Sequence, residues 1–146
     1  MKYTNLIQII AGLGIEQKIH IAIDCYENLQ PIMQKCDPID NGNGLFSIII
    51  GTAASIDNCY LSIEKSAFVS SFYSSVLGIR MDEADLRAFV KTCHDLHSNT
   101  LKIVKEVANI LDERQIKDLI VFLTVFFSID NKISKEEYAF LMSLTD

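Results

Sequence analysis

Apolar residues recur at intervals of three and four along most of this chain, which is the spacing that places them on one face of an α-helix. The longest such stripe contains Ile15, Ile19, Ile23, Tyr26, Leu29 and Met33. No stretch shows sustained alternation with the period of two that is typical of a β-strand. The pattern therefore predicts an all-α chain that forms a single compact domain of about seven helices.

Turn-forming and capping residues divide this pattern into helices. Pro31 is predicted to end or kink the stripe near Leu29 or Gln30, because proline lacks the amide hydrogen that a helix interior uses. Residues 36–44 are dense in Asp, Asn, Pro and Gly, which favours a linker. We place a boundary there, between an N-terminal helical arm (1–40) packed on the body and the body itself (41–146). Further helices are predicted to begin near Leu45, Ser62, Asp82, Ser98 or Asn99, Asp112 and Ser134.

Two segments of the body resemble each other. Residues 45–58 (LFSIIIGTAASIDN) and 119–131 (LIVFLTVFFSIDN) both end on Ser-Ile-Asp-Asn, and each precedes a second segment that contains Ala-Phe. When these Ala-Phe pairs are aligned, Lys65 takes the place of Glu137, and the first connector is one residue longer. The repetition predicts two pseudo-symmetric halves, each a helix–acidic turn–helix unit.

The two turns carry the residues that are best suited to a site. Asp57 and Glu64 belong to the first turn, and Asp130 and Glu137 belong to the second. Carboxylate oxygens are the ligands that hard divalent cations prefer, so these four residues are candidate ligands of a cation whose identity the sequence does not specify. The alternative is structural: Asp130 makes an Asx-turn, and Glu137 is the reciprocal partner of Ser134 in a capping box.

Composition narrows the classes of function. The chain has 146 residues, 49% of them hydrophobic, and a formal net charge of −6, so it lacks the excess of basic residues expected of a nucleic-acid-binding protein. Its four cysteines are scattered without CxxC spacing, and no signal peptide is apparent, so we expect a cytoplasmic protein with reduced thiols. The longest apolar run, 119–129, is too short to be a transmembrane segment and is predicted to be a helix buried on all sides.

The sequence lacks the motifs that are typical of common enzyme classes. The sequence contains no Gly-x-Ser-x-Gly elbow and no glycine-rich phosphate loop, so we expect a protein that is not an enzyme.

Cys93 and His97 lie four apart on a predicted helix, the spacing of a transition-metal site. Because Cys93 also continues an apolar stripe, a core thiol beside a surface histidine is the simpler interpretation.

The repeated apolar helix, acidic turn, Ser-x-Glu and second apolar helix resemble the TerB family, which is associated with tellurite resistance. The resemblance covers about residues 45–144, and the helices between Asp82 and Leu111 correspond to the spacer between the halves. The family usually has Ala-Asp-Gly at each turn, whereas here Asn58 and Asn131 replace the glycine. Asparagine tolerates positive φ, so the turn can be kept.

The resemblance implies a non-enzymatic domain that acts in metal-stress responses or in membrane-associated defence complexes. It also implies that Asp57, Glu64, Asp130 and Glu137 bind a divalent cation or a basic protein partner. A second hypothesis is a helical adaptor in which the acidic turns serve only as helix caps. In that case the apolar arm from Ile15 to Met33 docks on a partner protein or on a second copy of the chain.

Overall fold

The computed structural model describes residues 2–56 and 61–145, and in these residues the chain forms eight α-helices and no β-strand. This confirms the all-α fold class, with one helix more than the expected number of about seven. The helices are α1 (Thr4–Ala11), α2 (Ile15–Cys36), α3 (Asn43–Ala54), α4 (Ile63–Phe72), α5 (Glu83–Asp95), α6 (His97–Ile110), α7 (Glu113–Ser128) and α8 (Lys135–Ser143). A 3₁₀ turn, Pro38–Asp40, follows α2, and a π-helical turn, Tyr73–Leu77, continues α4.

Helix α7 forms the centre of the molecule. Every residue from Leu119 to Ser128 is buried, as predicted for the longest apolar run. Helices α1, α2, α3, α4 and α8 all contact α7, whereas α5 and α6 pack on α3. A helical segment that is apolar around its whole circumference must be covered on every side, so neighbouring helices surround this part of α7.

The N-terminal arm shares its core with the body. Ile7 and Ile10 of α1, and Leu29 and Met33 of α2, belong to the same buried cluster as the side chains of α7. The predicted boundary near residue 41 falls on the connection between α2 and α3 and stays a prediction.

The structure corrects two predicted helix boundaries. Helix α2 does not end at Pro31 but continues to Cys36. Pro31 is exposed, while Leu29 and Met33 on either side of it are fully buried, so tertiary packing maintains the helix across the missing hydrogen bond. Helix α6 begins at His97, before the predicted caps Ser98 and Asn99, directly after the end of α5 at Asp95.

The two copies of the repeated segment become α3 with α4 and α7 with α8. Both second helices begin after a serine, Ser62 or Ser134, whose hydroxyl accepts a hydrogen bond from the amide three residues later. Asn131 has a φ of 68°, the left-handed conformation expected for a residue that replaces glycine. Asp57 and Asn58 of the first turn lie outside the described residues, so the pseudo-symmetry of the halves stays a prediction.

Candidate functional site: a buried charge cluster and an apolar groove

The second acidic turn contains the predicted capping box. The Ser134 hydroxyl accepts a hydrogen bond from the Glu137 amide at 3.1 Å, and Glu137 Oε1 accepts one from the Ser134 amide at 2.9 Å. Two amides that the helix leaves without partners are thereby satisfied. Glu137 therefore has a structural role, as the second interpretation of this turn expected.

Glu137 has a second partner that the sequence did not suggest. Its Oε2 lies 2.6 Å from Lys65 Nζ, and Asp130 Oδ2 lies 4.0 Å from the same nitrogen. Lys65 and Glu137 are 6% and 3% exposed. Each is the third residue after its serine cap, so the ion pair joins residues at equivalent positions of the two repeated segments.

A second buried lysine lies at the end of α7. Lys18 of α2 is 1% exposed and donates a hydrogen bond to the Ser128 carbonyl at 2.7 Å. Carbonyls at a helix C-terminus carry partial negative charge, which a lysine stabilises. Burial lowers the pKa of Lys18, and the nearby charge of Asp130 opposes that shift. Two ammonium groups and two carboxylates thus balance in formal charge around this corner.

The four candidate cation ligands have different surroundings. Asp130 and Glu137 both lie close to Lys65. Glu64 is exposed and lines an apolar groove between α2 and α4. Asp57 lies outside the described residues. In residues 2–56 and 61–145, no three His, Cys, Asp or Glu side chains are grouped as a metal site requires, and Cys93 is buried. The Lys65 ammonium adjoins both carboxylates and would repel a divalent cation there. The cation site stays a prediction.

An apolar groove with a volume of about 560 Å³ lies between α2 and α4. Helix α2 contributes Ile15, Ile19 and Ile23, and the other wall is formed by the following residues of α4 and the π-helical turn: Ile63, Glu64, Ala67, Phe68, Ser71, Phe72, Ser75 and Val76. Ile15 is 56% exposed and Ile63 is 86% exposed. The groove therefore leaves large aliphatic side chains in contact with water.

The sequence contained a signal for this groove. The predicted stripe along α2 is only partly a core face, because the core uses Ala22, Cys25, Leu29 and Met33. Ile15 and Ile19 are exposed and turn toward the groove instead. A helix with more apolar positions than its buried face requires indicates a second apolar surface.

The π-helical turn contributes Ser75 and Val76 to the lining of the groove. It ends at Gly78, whose φ of 68° confirms the predicted left-handed cap. Asn43 donates a hydrogen bond to the Leu77 carbonyl at 3.2 Å and accepts one from the Tyr26 hydroxyl at 2.8 Å. This chain of hydrogen bonds joins α2 to the end of the turn, so the two walls of the groove are held together. Single π-helical turns are frequent at functional sites.

Comparison with protein-family models, with curated proteins and with solved structures finds no match for this chain. The resemblance to the TerB family therefore stays a prediction from the repeated residues. Among the helices of the described residues, none has the length and hydropathy that crossing a membrane requires.

Proposed function

We propose that this chain is a non-enzymatic helical binding domain that holds the apolar face of an α-helix from a partner protein in the groove between α2 and α4. The observation that carries the proposal is the row of exposed isoleucines on α2 facing an apolar wall of α4. Contiguous exposed apolar surface with a polar border is typical of a protein interaction site.

The dimensions of the groove suit a helix. Ile15 to Ile23 extend over about 12 Å of α2, a little more than two helical turns, because each residue advances a helix by about 1.5 Å. A helix bound in such a groove places anchors at i, i+3 or i+4, and i+7 along its own apolar face. The polar groups in the lining are Glu64, Ser71 and Ser75. Sites for small molecules more often contain several polar groups that converge on the ligand.

In this proposal the second acidic turn supports the fold and does not bind a ligand. Glu137 caps α8, and its charge is neutralised by Lys65 from the opposite half. This favours the adaptor hypothesis, in which the turns are caps, over recruitment of a cation by Asp130 and Glu137. The expected place in a metal-stress response depends on the TerB resemblance alone.

The test uses a synthetic helix. The probe is a fluorescently labelled peptide of about 18 residues, or five turns, with leucine at helical spacing on one face and glutamine on the other. We expect the native chain to bind it, and the double variant Ile15→Ser/Ile19→Ser to bind it about tenfold or more weakly, since each exposed isoleucine contributes apolar contact area. Fluorescence anisotropy measures the affinity.

The matched control is Ile9→Ser/Ile110→Ser. These isoleucines are exposed to a similar degree but do not line the groove, so the affinity should be unchanged. In methyl NMR spectra the peptide should shift the signals of Ile15, Ile19, Ile23 and Ile63. Absence of binding to the native chain, or equal loss in both double variants, would refute the proposal.

A further inference from the structure

The groove has acidic borders. Glu64 is the one charged side chain among the described residues of its lining. Successive residues of α2 are rotated by about 100° around the helix axis. Glu16 and Glu27 therefore lie next to the row of isoleucines, on the side of the row that faces solvent. Both are exposed. Lys18, the lysine nearest to these glutamates on α2, lies on the opposite side of the helix from them and is buried against the core.

This charge distribution selects among occupants. If two copies of the chain met symmetrically through this surface, the patch would face itself, and the glutamates of one copy would lie against a surface bordered by the same three glutamates, Glu16, Glu27 and Glu64. An anionic surface would be repelled in the same way. A helix with cations flanking its apolar face would instead place opposite charges along both borders.

We infer that the partner helix of this groove carries lysine or arginine on both sides of its apolar face. The inference rests on the proposed function, because it specifies the chemistry of the helix that the groove binds. The isoleucines and Phe68 supply the contact area, and the three glutamates select the partner by charge. The net charge of −6 of the whole chain attracts the same class of partner at longer range.

Three peptides test the inference. All carry the same leucines, and their flanking positions hold glutamine, lysine or glutamate. At low ionic strength we expect the lysine peptide to bind about tenfold more tightly than the glutamine peptide, the sum of three modest exposed pairs, and the glutamate peptide to bind more weakly than both. At about 1 M salt, where the Debye length is about 3 Å, the lysine and glutamine peptides should bind almost equally.

A pair of variants separates the borders of the groove from the overall charge. In Glu16→Gln/Glu27→Gln/Glu64→Gln, the preference for lysine over glutamine should fall to about twofold or less, because the local pairs are gone. The control Asp95→Asn/Glu106→Gln/Glu113→Gln changes the net charge by the same amount on α5, α6 and α7. It should keep most of the preference. An equal reduction in both variants would overturn the inference, since the attraction would then be non-specific.

The two proposals fail differently. If the glutamine peptide binds the groove but the lysine peptide gains nothing, the charge inference is wrong and the proposed function stands. If the glutamine peptide does not bind, the proposed function fails, whether or not the lysine peptide binds. Light scattering after size exclusion gives a third outcome: a dimer that Ile15→Ser/Ile19→Ser dissociates would show a second copy in the groove and overturn both.

Discussion

Lys65 is the residue at which the two repeated segments differ most in chemistry. When the two segments are aligned, Lys65 takes the position that Glu137 has in the second segment. In the structure these two side chains form an ion pair. A glutamate at position 65 would bring two carboxylates together beside Asp130. The sequence revealed the exchange of glutamate for lysine, but only the packing of α4 near α8 shows that the exchanged residues meet.

Replacing Lys65 with methionine should destabilise the fold strongly. The variant keeps the volume of the side chain but leaves the buried carboxylate of Glu137 without its cation. Removing one partner of a buried ion pair costs about 3–5 kcal/mol in the free energy of unfolding. Urea unfolding followed by circular dichroism measures this loss.

The double variant Lys65→Met/Glu137→Gln is the control. Glutamine keeps an oxygen for the Ser134 amide, so the capping box survives while both charges disappear. Part of the lost stability should return, because the buried charge of Glu137 disappears together with that of Lys65, whereas Asp130 still lacks Lys65. A Lys65→Met variant within about 0.5 kcal/mol of the native chain, the range of ordinary surface substitutions, would mean that the pair is not buried as described.

At the scale of helices, α2 shows how tertiary packing overrides a local signal. Proline in a helix interior removes a hydrogen bond and clashes with the preceding turn. Yet α2 continues for five residues beyond Pro31, because Leu29 and Met33 on either side of the proline are buried in the shared core. The sequence reports the local penalty but not the packing that offsets it.

Pro31→Ala should therefore stabilise the protein. Alanine restores the amide donor at an exposed position and is favoured over proline in helices by up to about 3 kcal/mol; we expect a gain of about 1–3 kcal/mol. Thermal and urea unfolding measure it. Asn28→Ala, at another exposed position of α2, is the control and should gain only the small difference in helix propensity. A loss of stability in Pro31→Ala would show that the packing of Leu29 and Met33 depends on the proline.

The elements that the sequence predicted well are those set by neighbouring residues. The capping boxes at Asp112 and Ser134 and the left-handed Gly78 follow from spacings of a few residues, and all three are present. The π-helical turn and the groove depend on how α4 packs against α2. Residues far apart in the chain determine that arrangement, so periodicity could indicate a surplus of apolar positions on α2 but not the surface that faces them.

At the scale of the whole molecule, the arm and the body share one core around α7. Helix α2 has extensive contact with α7, and Ala22, Leu29 and Met33 are fully buried. Lys18 also satisfies the Ser128 carbonyl at the end of α7. The arm therefore supplies both a wall of the groove and part of the covering of the central helix.

The segment 41–146 alone should fail to fold cooperatively. Without α1 and α2, a face of α7 that contains large apolar side chains would be open to water, and each such side chain contributes about 1.5–3 kcal/mol when buried. A few such losses together are comparable with the total stability of a typical domain, about 5–15 kcal/mol. We expect poor dispersion in its amide NMR spectrum and no sharp thermal transition. Segment 13–146, which lacks only α1, should fold with reduced stability. Adding a peptide of residues 13–40, which contains α2, should restore structure to 41–146. A cooperative transition for 41–146 alone would make the body an independent domain and the arm an appendage.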